Sequence, residues 1–239
     1  MPIKKEYDKD FFKKWSHDMA YVLGFLYADG NILVSQKGGY YTSLYSADKI
    51  LVQKMRKALS SSHHISERVS PTGVHYRMQI GSKEWFADLL ALGMTVAKSQ
   101  RLVFPAMPPK YFGDFVRGYF DGDGNVWVGV MHKERKTTTL VIFAAFTSGS
   151  IDFLRVLLDE LSLRGIQGGS VHVLKGGNYG RLNFSTRDAL KLYEIMYNGP
   201  HELCLERKKS VFDRFMKERS NGGTYSLRES PAAFSPEGC

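Results

Sequence analysis

Residues 22–30 read VLGFLYADG, and residues 116–124 read VRGYFDGDG. Each stretch is an apolar, helix-like run with a glycine in its middle and Asp-Gly at its end. The two aspartates, Asp29 and Asp123, are 123 − 29 = 94 residues apart in a chain of 239. A pattern repeated at this distance predicts two similar halves in tandem.

Small residues recur four positions apart within each motif: Gly24 and Ala28 in the first, Gly118 and Gly122 in the second. Residues four apart lie on one face of a helix, and small side chains there let two helix backbones approach closely. We therefore expect the two motif helices to pack against each other along these faces. Such packing would bring Asp29 and Asp123 side by side.

The carboxyl end of a helix carries partial negative charge, so an aspartate there is unfavourable unless it has another task. Two such carboxylates, with the exposed backbone carbonyls of Ala28 and Gly122, suit a hard divalent cation. We expect Mg²⁺, and Mn²⁺ or Ca²⁺ could occupy the same site. The simpler alternative is that each Asp-Gly only ends a helix, with Gly30 and Gly124 at positive φ.

Hydrophobic periodicity predicts the same order of elements, helix-hairpin-helix-hairpin-helix, in both halves of an α+β fold. In the first half, helices are expected near 19–28, 48–59 and 85–92, and strands near 31–36, 40–46, 64–70 and 74–80. In the second, helices are expected near 111–122, 150–163, 187–197 and 205–218, and strands near 125–132 and 138–147, with a hairpin around 176–178.

Composition changes divide the chain into five segments. We expect an N-terminal extension (1–15), a first repeat (16–103), a Pro-rich linker (104–110), a second repeat (111–219) and a flexible tail (220–239). The linker holds several prolines, which neither a helix nor a central strand tolerates well. The tail is rich in Ser, Gly and Pro.

The chain is basic, with 33 Lys and Arg against 24 Asp and Glu, a net charge of +9. Such an excess indicates an anionic partner, most often nucleic acid. A membrane surface would also attract it, and basic charge that serves only solubility is the other alternative.

Only two cysteines are present, Cys204 and Cys239. We therefore expect no disulfide framework, and we expect a reducing, intracellular setting. The first residues, MPIKKEYDKDFFKKW, are charged and lack the apolar core of a signal peptide. The longest apolar run, 19–28, is about half of what crosses a bilayer. We expect a soluble protein without a membrane partner.

The two quoted stretches resemble the signature helices of LAGLIDADG homing endonucleases in their single-chain, two-repeat form. The resemblance covers about residues 16–218. It implies two pseudo-symmetric αββαββα repeats whose antiparallel sheets form a saddle over the DNA major groove, with the helices on the outer face. It also implies a monomer that cuts both strands of a specific double-stranded DNA target with a divalent metal, leaving short 3′ overhangs.

The resemblance also implies roles for residues at the motif ends. Asp29 and Asp123 match the acidic position that binds metal and positions the hydrolytic water. Several members of the family carry Gln at the end of the second strand, where this chain has Ser46 and Ser148. Asp121 is a further acid, but on a helix it should point away from Asp123, so we interpret it as structural.

The family places a basic residue near each scissile phosphate, just after the last helix of each repeat. By position these are Lys98 and Lys208. Lys209 and Arg207 compete with Lys208 for this assignment, and each of them could instead belong to a solvated helix face.

Major-groove recognition uses Arg on guanine and Gln or Asn on adenine, and strands that alternate polar with apolar residues can present such groups. Any one of the candidates could instead be an exposed strand residue without a contact. The candidates are Gln36, Tyr40, Arg68, His75, Arg77 and Gln79 in the first half, and His132, Arg135, Lys175, Arg181 and Asn183 in the second.

Three functions are consistent with these features. A sequence-specific endonuclease explains both acids and the basic charge. An RNA maturase or a DNA-binding regulator on the same scaffold would need only the fold and the charge. A metal-dependent hydrolase of small phosphate esters is disfavoured by the net charge of +9.

Overall fold

The computed structural model describes residues 5–71, 73–96, 102–131, 138–174, 176–177, 179–199 and 202–220. The first half comprises α1 (His17–Asp29), β1 (Gly30–Val34), β2 (Tyr40–Ser46), α2 (Lys49–Ala58), β3 (Ile65–Ser70), β4 (Gly73–Gly81) and α3 (Lys83–Ala91). After a short 3₁₀ turn at Pro109–Tyr111, the second half comprises α4 (Phe112–Asp123), β5 (Gly124–Met131), β6 (Thr139–Ser148), α5 (Ile151–Ser162), β7 (Ser170–Val173), β8 (Gly180–Phe184), α6 (Thr186–Tyr197) and α7 (Glu206–Ser220).

Each half contains one four-stranded antiparallel sheet. The strand order is β1-β2-β4-β3 in the first sheet and β5-β6-β8-β7 in the second, so the two sheets have the same topology. The α+β class and the repeated order of elements are thus confirmed. Each sheet follows directly on a motif helix, because β1 begins one residue after Asp29 and β5 one residue after Asp123.

The helices cover one face of each sheet. In the first sheet Ile32, Leu44, Met78 and Ile80 belong to the hydrophobic core, and in the second Ile142, Phe146, Leu182 and Phe184 do. Since alternate residues of a strand point to opposite faces, the residues between them form the other face of each sheet. We call that side the open face.

Helix α1 is the most buried element. Its residues 19–28 are all buried, as expected for a helix that is apolar on nearly every side. Ser16 caps its amino end by accepting a hydrogen bond from the backbone N–H of Met19. At its carboxyl end the helix passes straight into β1.

The N-terminal segment packs on the first half. The rings of Phe11 and Phe12 contact Trp85 of α3, with centroids 6.2 and 5.0 Å away. The indole N–H of Trp85 donates to the carbonyl oxygen of Asp8. Residues 5–15, the described part of this segment, therefore contribute to the core through Phe11 and Phe12.

Candidate functional site

The two motif helices are in backbone contact. A Cβ atom added at Gly24 would lie 2.9 Å from the backbone nitrogen of Tyr119, and one added at Gly118 would lie 2.9 Å from the backbone nitrogen of Phe25. Real Cβ atoms do not approach other atoms below 3.0 Å. Glycine is therefore required at both positions, and the predicted packing of α1 on α4 is confirmed.

The crossing places the ends of the two motifs next to each other. A Cβ atom at Gly122 would overlap the Cβ of Ala28 and lie 3.3 Å from the backbone nitrogen of Asp29. The side chains of Asp29 and Asp123 are both half-buried. The two acids thus leave the same helix-helix interface at its carboxyl end.

The glycines after the acids are not at positive φ. Gly30 has φ −101° and Gly124 has φ −84°, both extended. The alternative in which each Asp-Gly is a left-handed helix stop is therefore wrong. Glycine is required here for space, because an added Cβ would overlap Leu26 in the first copy and Phe120 in the second.

A buried phenol reports the charge at this point. Burial raises the pKa of Tyr119, and the negative charges of Asp123 and Asp29 raise it further. The Tyr119 hydroxyl donates to the carbonyl oxygen of Thr147 at 3.1 Å. Both carboxylates are thus close enough to act on one side chain, which indicates a locally negative site.

The donor set fits a hard divalent cation. It offers two carboxylates and nearby backbone carbonyls, which are oxygen ligands of the kind that magnesium and calcium prefer. Within the described ranges, no group of three or more His, Cys, Asp or Glu side chains is arranged to hold a metal. A cation between Asp29 and Asp123 would therefore need further oxygen ligands from water or from a phosphate.

Lys208 belongs to α7, and its side chain reaches the carboxyl end of α4, where the residue is only 6% exposed. Its ammonium donates to the carbonyl oxygens of Phe120, Asp121, Gly122 and Gly124, at 2.7, 2.9, 3.3 and 2.6 Å. Burial lowers the pKa of Lys208 to about 8, and the charge of Asp121 opposes this shift. The lysine therefore compensates the negative end of α4, the helix that carries Asp123.

The other basic candidates near the site differ in environment. Lys209 is paired with Asp213 at 2.7 Å, whereas Arg207 is exposed. Gly122, which the sequence suggests as a backbone ligand, already accepts from Lys208. Lys98 lies outside the described residues.

Tyr27 and Asp121 occupy equivalent positions, since 27 + 94 = 121. The Tyr27 hydroxyl donates to the carbonyl oxygens of Leu92 and Val103. The Asp121 carboxylate is buried and accepts from the backbone N–H of Leu205 at 2.7 Å. Each motif helix thus holds the chain segment that follows the last hairpin of its own half, and these contacts agree with the structural interpretation of Asp121.

The same two residues also contact the partner helix, with different chemistry. Asp121 accepts a hydrogen bond from the Tyr21 hydroxyl at 2.7 Å. At the equivalent place, Tyr27 makes an edge-on ring contact with Phe115, with centroids 5.3 Å apart. One side of the helix pair is therefore joined by a polar contact and the other side by an aromatic one.

Ser46 and Ser148 are the positions at which the resemblance implies Gln. They end β2 and β6 and bind the turns that lead into the next helices. Ser46 accepts from the backbone N–H of Asp48, and Ser148 accepts from that of Ser150. Asp48 and Ser150 are in turn the N-caps of α2 and α5. Both hydroxyls are thus engaged in turns.

Four of the first-half candidates lie on the open face. The register pairs Arg68 with His75, Arg77 with Tyr45, and Gln79 with Ser43. Arg77 donates to the Ser43 hydroxyl at 3.3 Å, and its guanidinium lies over the ring of Tyr45. The open face of the first sheet is therefore rich in hydrogen-bonding groups.

The structure contradicts the expectation that Tyr40 faces DNA. The register pairs it with Val34 and places it on the helix side of the sheet, where its ring packs against Phe86 of α3 at 4.9 Å. It cannot face a ligand on the open side. Gln36 lies in the exposed turn between β1 and β2 rather than in a strand.

In the second half, Arg181 and Asn183 lie on the open face, opposite Thr147 and Ala145. Arg181 is the counterpart of Arg77, since each stands one position from the strand end marked by Ser148 or Ser46. Among the described residues, both arginines have a buried Nε atom without a hydrogen-bond partner. His132, Arg135 and Lys175 lie outside the described residues.

Two residues of the open face escaped the sequence analysis. Trp127 and Phe143 are paired across β5 and β6, and their rings stack with centroids 5.6 Å apart at an angle of 27°. Asn125 pairs with Ala145 and lies on the open face. Trp127 follows it by two residues of the strand and therefore points to the same face, which is the signal that the sequence offered.

Within the described ranges, no helix has the length and apolarity needed to cross a bilayer.

Comparison with known sequences gives two distant relatives, and no protein-family model matches the chain. The chain is 24% identical over 163 residues to an uncharacterized protein of Methanocaldococcus jannaschii, a match that covers 67% of this chain and 53% of that protein. It is 24% identical over 220 residues to the DNA-directed RNA polymerase subunit Rpo1C of the same organism, covering 89% of this chain and 22% of the subunit. The chain thus spans about half of one relative and about a fifth of the other.

Comparison with solved structures gives LAGLIDADG endonucleases. The I-SmaMI LAGLIDADG homing endonuclease bound to cleaved DNA aligns with a TM-score of 0.61 at 11% identity, covering 87% of this chain and 91% of that chain. The LAGLIDADG meganuclease I-AabMI bound to uncleaved DNA aligns with a TM-score of 0.57 at 13% identity, covering 84% and 90%. I-SmaMI has also been solved with its DNA target in the presence of calcium ions, with a TM-score of 0.57 at 11% identity, covering 87% and 93%. The present chain has the two-repeat fold of these proteins.

Proposed function

We propose that this chain is a sequence-specific endonuclease that hydrolyses both strands of double-stranded DNA with a divalent cation, Mg²⁺, and leaves short 3′ overhangs. The observation that carries the proposal is the convergence of Asp29 and Asp123 at the carboxyl end of the α1-α4 interface. An isolated acid at a helix end would be unfavourable, and here two are brought together where two sheets begin.

In this proposal Asp29 and Asp123 would hold the metal, assisted by the carbonyl of Ala28 and by the second lone pair of the Gly122 carbonyl, which also accepts from Lys208. The bound cation would supply a polarised phosphate oxygen and an activated water. The acids would orient that water between the two scissile phosphates. A single chain acts as a monomer, because each of its halves supplies one acid and one sheet.

The two basic residues receive different proposed roles. Lys98 faces a scissile phosphate, as the resemblance implies. Lys208 acts by fixing the end of α4 that carries Asp123, since its ammonium is already held by four carbonyls. A lysine so engaged has few hydrogen-bond donors left for a phosphate.

The proposed DNA interface is the pair of open faces. The net charge of +9 suits a polyanion. Arg68, His75, Arg77 and Gln79 of the first sheet and Arg181 and Asn183 of the second are placed to meet base edges. His132, Arg135 and Lys175, which the sequence also suggests, would add to the second half, and Gln36 would contact DNA from its turn.

The direct test is to incubate the protein with Mg²⁺ and a randomised duplex library and to sequence the cut ends. One target with short 3′ overhangs is expected, and cutting should stop when EDTA removes the metal. Asp29→Asn and Asp123→Asn should each reduce cleavage by at least about 100-fold while leaving target affinity within about threefold. Asp10→Asn, at an exposed acid paired with Lys13, is the control and should cut normally.

Each remaining outcome points to a different function. If either acid variant cut both strands at the native rate, the assignment of the acids would be wrong. Specific binding without cleavage by the wild-type chain would indicate a DNA-binding regulator. Preference for structured RNA over any duplex DNA would indicate a maturase.

A further inference from the structure

The two open faces can be compared position by position. Ser46 and Ser148 mark equivalent strand ends, and the registers then match Asn31-Ser43-Gln79 with Asn125-Ala145-Asn183. One step further from the acids, Leu33 and Tyr41 match Trp127 and Phe143. On the same open face, but in the last two strands of each half, the pair Arg68 and His75 matches Leu174 and Tyr179. Leu174 and Tyr179 are joined by a backbone hydrogen bond.

The second face is less polar at some matched positions, whereas Asn125, Arg181 and Asn183 match Asn31, Arg77 and Gln79 in kind. A serine becomes alanine, an arginine becomes leucine, and a histidine becomes tyrosine. Leu174 and Tyr179 are 40% and 53% exposed, so the last two of these changes lie on the surface, whereas Ser43 and Ala145 are buried. The two faces therefore offer a partner different chemistry, although the strands beneath them have the same order.

The centre of the second open face is an apolar strip, formed by Trp127, Phe143 and Met131; Val141 lies on the same face but is buried. Trp127 lies against the backbone of Gly129, where an added Cβ would overlap its indole ring, and Phe143 stacks on it from the neighbouring strand. Both rings are partly exposed, and Met131 is 44% exposed. Trp127 and Phe143 do not belong to the described hydrophobic core, so this apolar surface is available to a partner.

We propose that the apolar strip recognises thymine methyl groups, so that the half of the target bound by the second sheet is thymine-rich where Trp127 and Phe143 meet it. This inference rests on the proposed function. In the major groove the 5-methyl of thymine is the apolar group that marks a base pair, and apolar side chains recognise it by contact. The first sheet has Leu33 and Tyr41 at the matched positions and therefore lacks this pair of rings.

The neighbours of the strip favour duplex DNA as the occupant. Asn125 and Asn183 lie on the same face one step nearer the acids, and Arg181 lies beyond Asn183. Asn pairs with adenine and Arg with guanine in the major groove, so the strip continues a surface already suited to base edges. Stacking of unpaired RNA bases on the rings is the competing occupant, and the experiment below separates it.

The position of the strip predicts where the thymines lie. Trp127 follows Asp123 by four residues of extended chain, roughly 13 Å at 3.3 Å per residue. This is the length of about four base pairs. We therefore expect the effect about three to six base pairs from the centre of the target, on the side bound by the second sheet.

The test replaces thymine by deoxyuridine, which removes only the methyl group. Binding of the selected target is measured by fluorescence anisotropy in Ca²⁺, with uracil placed in one half-site at a time. Each methyl lost beneath the strip should weaken binding by about fourfold. Uracil in the first half-site, and uracil beyond about seven base pairs, are the matched controls and should change affinity by less than twofold.

A pair of variants links the effect to the rings. Trp127→Leu should bind the thymine target more weakly and should lose part of its sensitivity to uracil, because the smaller side chain makes fewer contacts with the methyl group. Tyr41→Leu, at a ring on the open face of the first sheet, should keep that sensitivity. Circular dichroism and urea unfolding of both variants establish that they are folded.

The outcomes are distinguishable from a failure of the proposed function. If no duplex is bound or cut, the function itself fails. If the thymine target is bound and cut but uracil has no effect, or the selected half-site has no thymine three to six base pairs from the centre, the inference alone is overturned. If Trp127→Leu weakens binding of single-stranded RNA and leaves duplex binding unchanged, the strip serves RNA and the inference is likewise overturned.

Discussion

The contact between Gly122 and Ala28 allows a sharp test of the helix pairing on which the site depends. Gly122→Ala would place a Cβ less than 3.0 Å from the Ala28 Cβ, whereas ordinary contact begins at 3.4 Å. The two helices must therefore separate by about half an ångström or more, and a gap of that size forfeits about a quarter of each close contact along the interface. Overpacking of this kind costs about 1–3 kcal/mol.

Alanine also favours helix over glycine by about 1 kcal/mol, which offsets part of that cost. We expect Gly122→Ala to lower the free energy of unfolding by about 1–2 kcal/mol and to slow cleavage further, because Asp29 and Asp123 move apart. In the exchange Ala28→Gly with Gly122→Ala the two methyl groups no longer meet, and the gain and loss of helix propensity cancel. The nearest remaining backbone atom is the Asp29 nitrogen at 3.3 Å.

The double variant should therefore regain stability to within about 0.5 kcal/mol of wild type, together with its cleavage rate. Urea unfolding followed by circular dichroism gives the free energies, and cutting of the selected target gives the rates. Gly199→Ala, where an added Cβ meets nothing within 4 Å, is the control. If Gly122→Ala alone were as stable as wild type, or if the exchange did not restore stability, the proposed close packing of α1 on α4 would be refuted.

Three further predictions concern single residues. Arg77→Ala should reduce discrimination at one base position by about 1–3 kcal/mol in competition binding, whereas equal loss on every sequence would show a phosphate contact. Lys208→Met should lower the free energy of urea unfolding by about 2 kcal/mol, because four carbonyls lose their donor; Lys209→Met, at a partly exposed pair, should cost less than about 1 kcal/mol. Burial raises the pKa of Cys204 from 9.0 to about 12, so at pH 8 its thiolate fraction is about 1000-fold below that of an ordinary thiol and rises only as pH nears 12. In a Cys239→Ser background the folded protein should accordingly react with DTNB about 1000-fold more slowly than the unfolded chain, and comparable rates would contradict the burial.

The helix pairing could be predicted because it depends on side-chain size at a fixed spacing. Gly24 and Gly118 recur at equivalent positions, and only a close partner explains small residues on an otherwise apolar helix. The aspartates follow from the same helices, since they are the next residues after the last turn. These features are local in sequence and were therefore visible in it.

The face of the sheet to which each residue points was less predictable, because a shift of one residue in register moves every side chain of a strand to the opposite face. Tyr40 faces the helices because it stands four residues before the buried Leu44 in β2, a strand whose sequence YYTSLYS does not alternate clearly between polar and apolar residues. In β5 and β6 both faces are apolar, so alternation gives no signal and Trp127 and Phe143 look like core residues. Only the strand register separates them from Val128 and Ile142.

The environment of Lys208 was hidden for a different reason. The segment Arg207-Lys208-Lys209 looks like a solvated helix face. The carbonyl oxygens that accept hydrogen bonds from Lys208 belong to residues 84 to 88 positions earlier in the chain. Nothing in the local sequence points to them. Pairings over that distance depend on how α7 meets the end of α4, which propensity and periodicity do not determine.

The unlike contacts on the two sides of the helix pair also make each half specific for the other. Self-association of second halves would set the buried carboxylate of Asp121 against Phe115 instead of the Tyr21 hydroxyl, so that this carboxylate would lose one of its two hydrogen-bond donors and keep only the N–H of Leu205. Self-association of first halves would set Tyr21 against Tyr27 and would supply only first-half sheets. Cut between the repeats and produced as two polypeptides, the halves should therefore reassemble as a heterodimer, so that either half could be exchanged for a redesigned one without producing mixtures of like pairs.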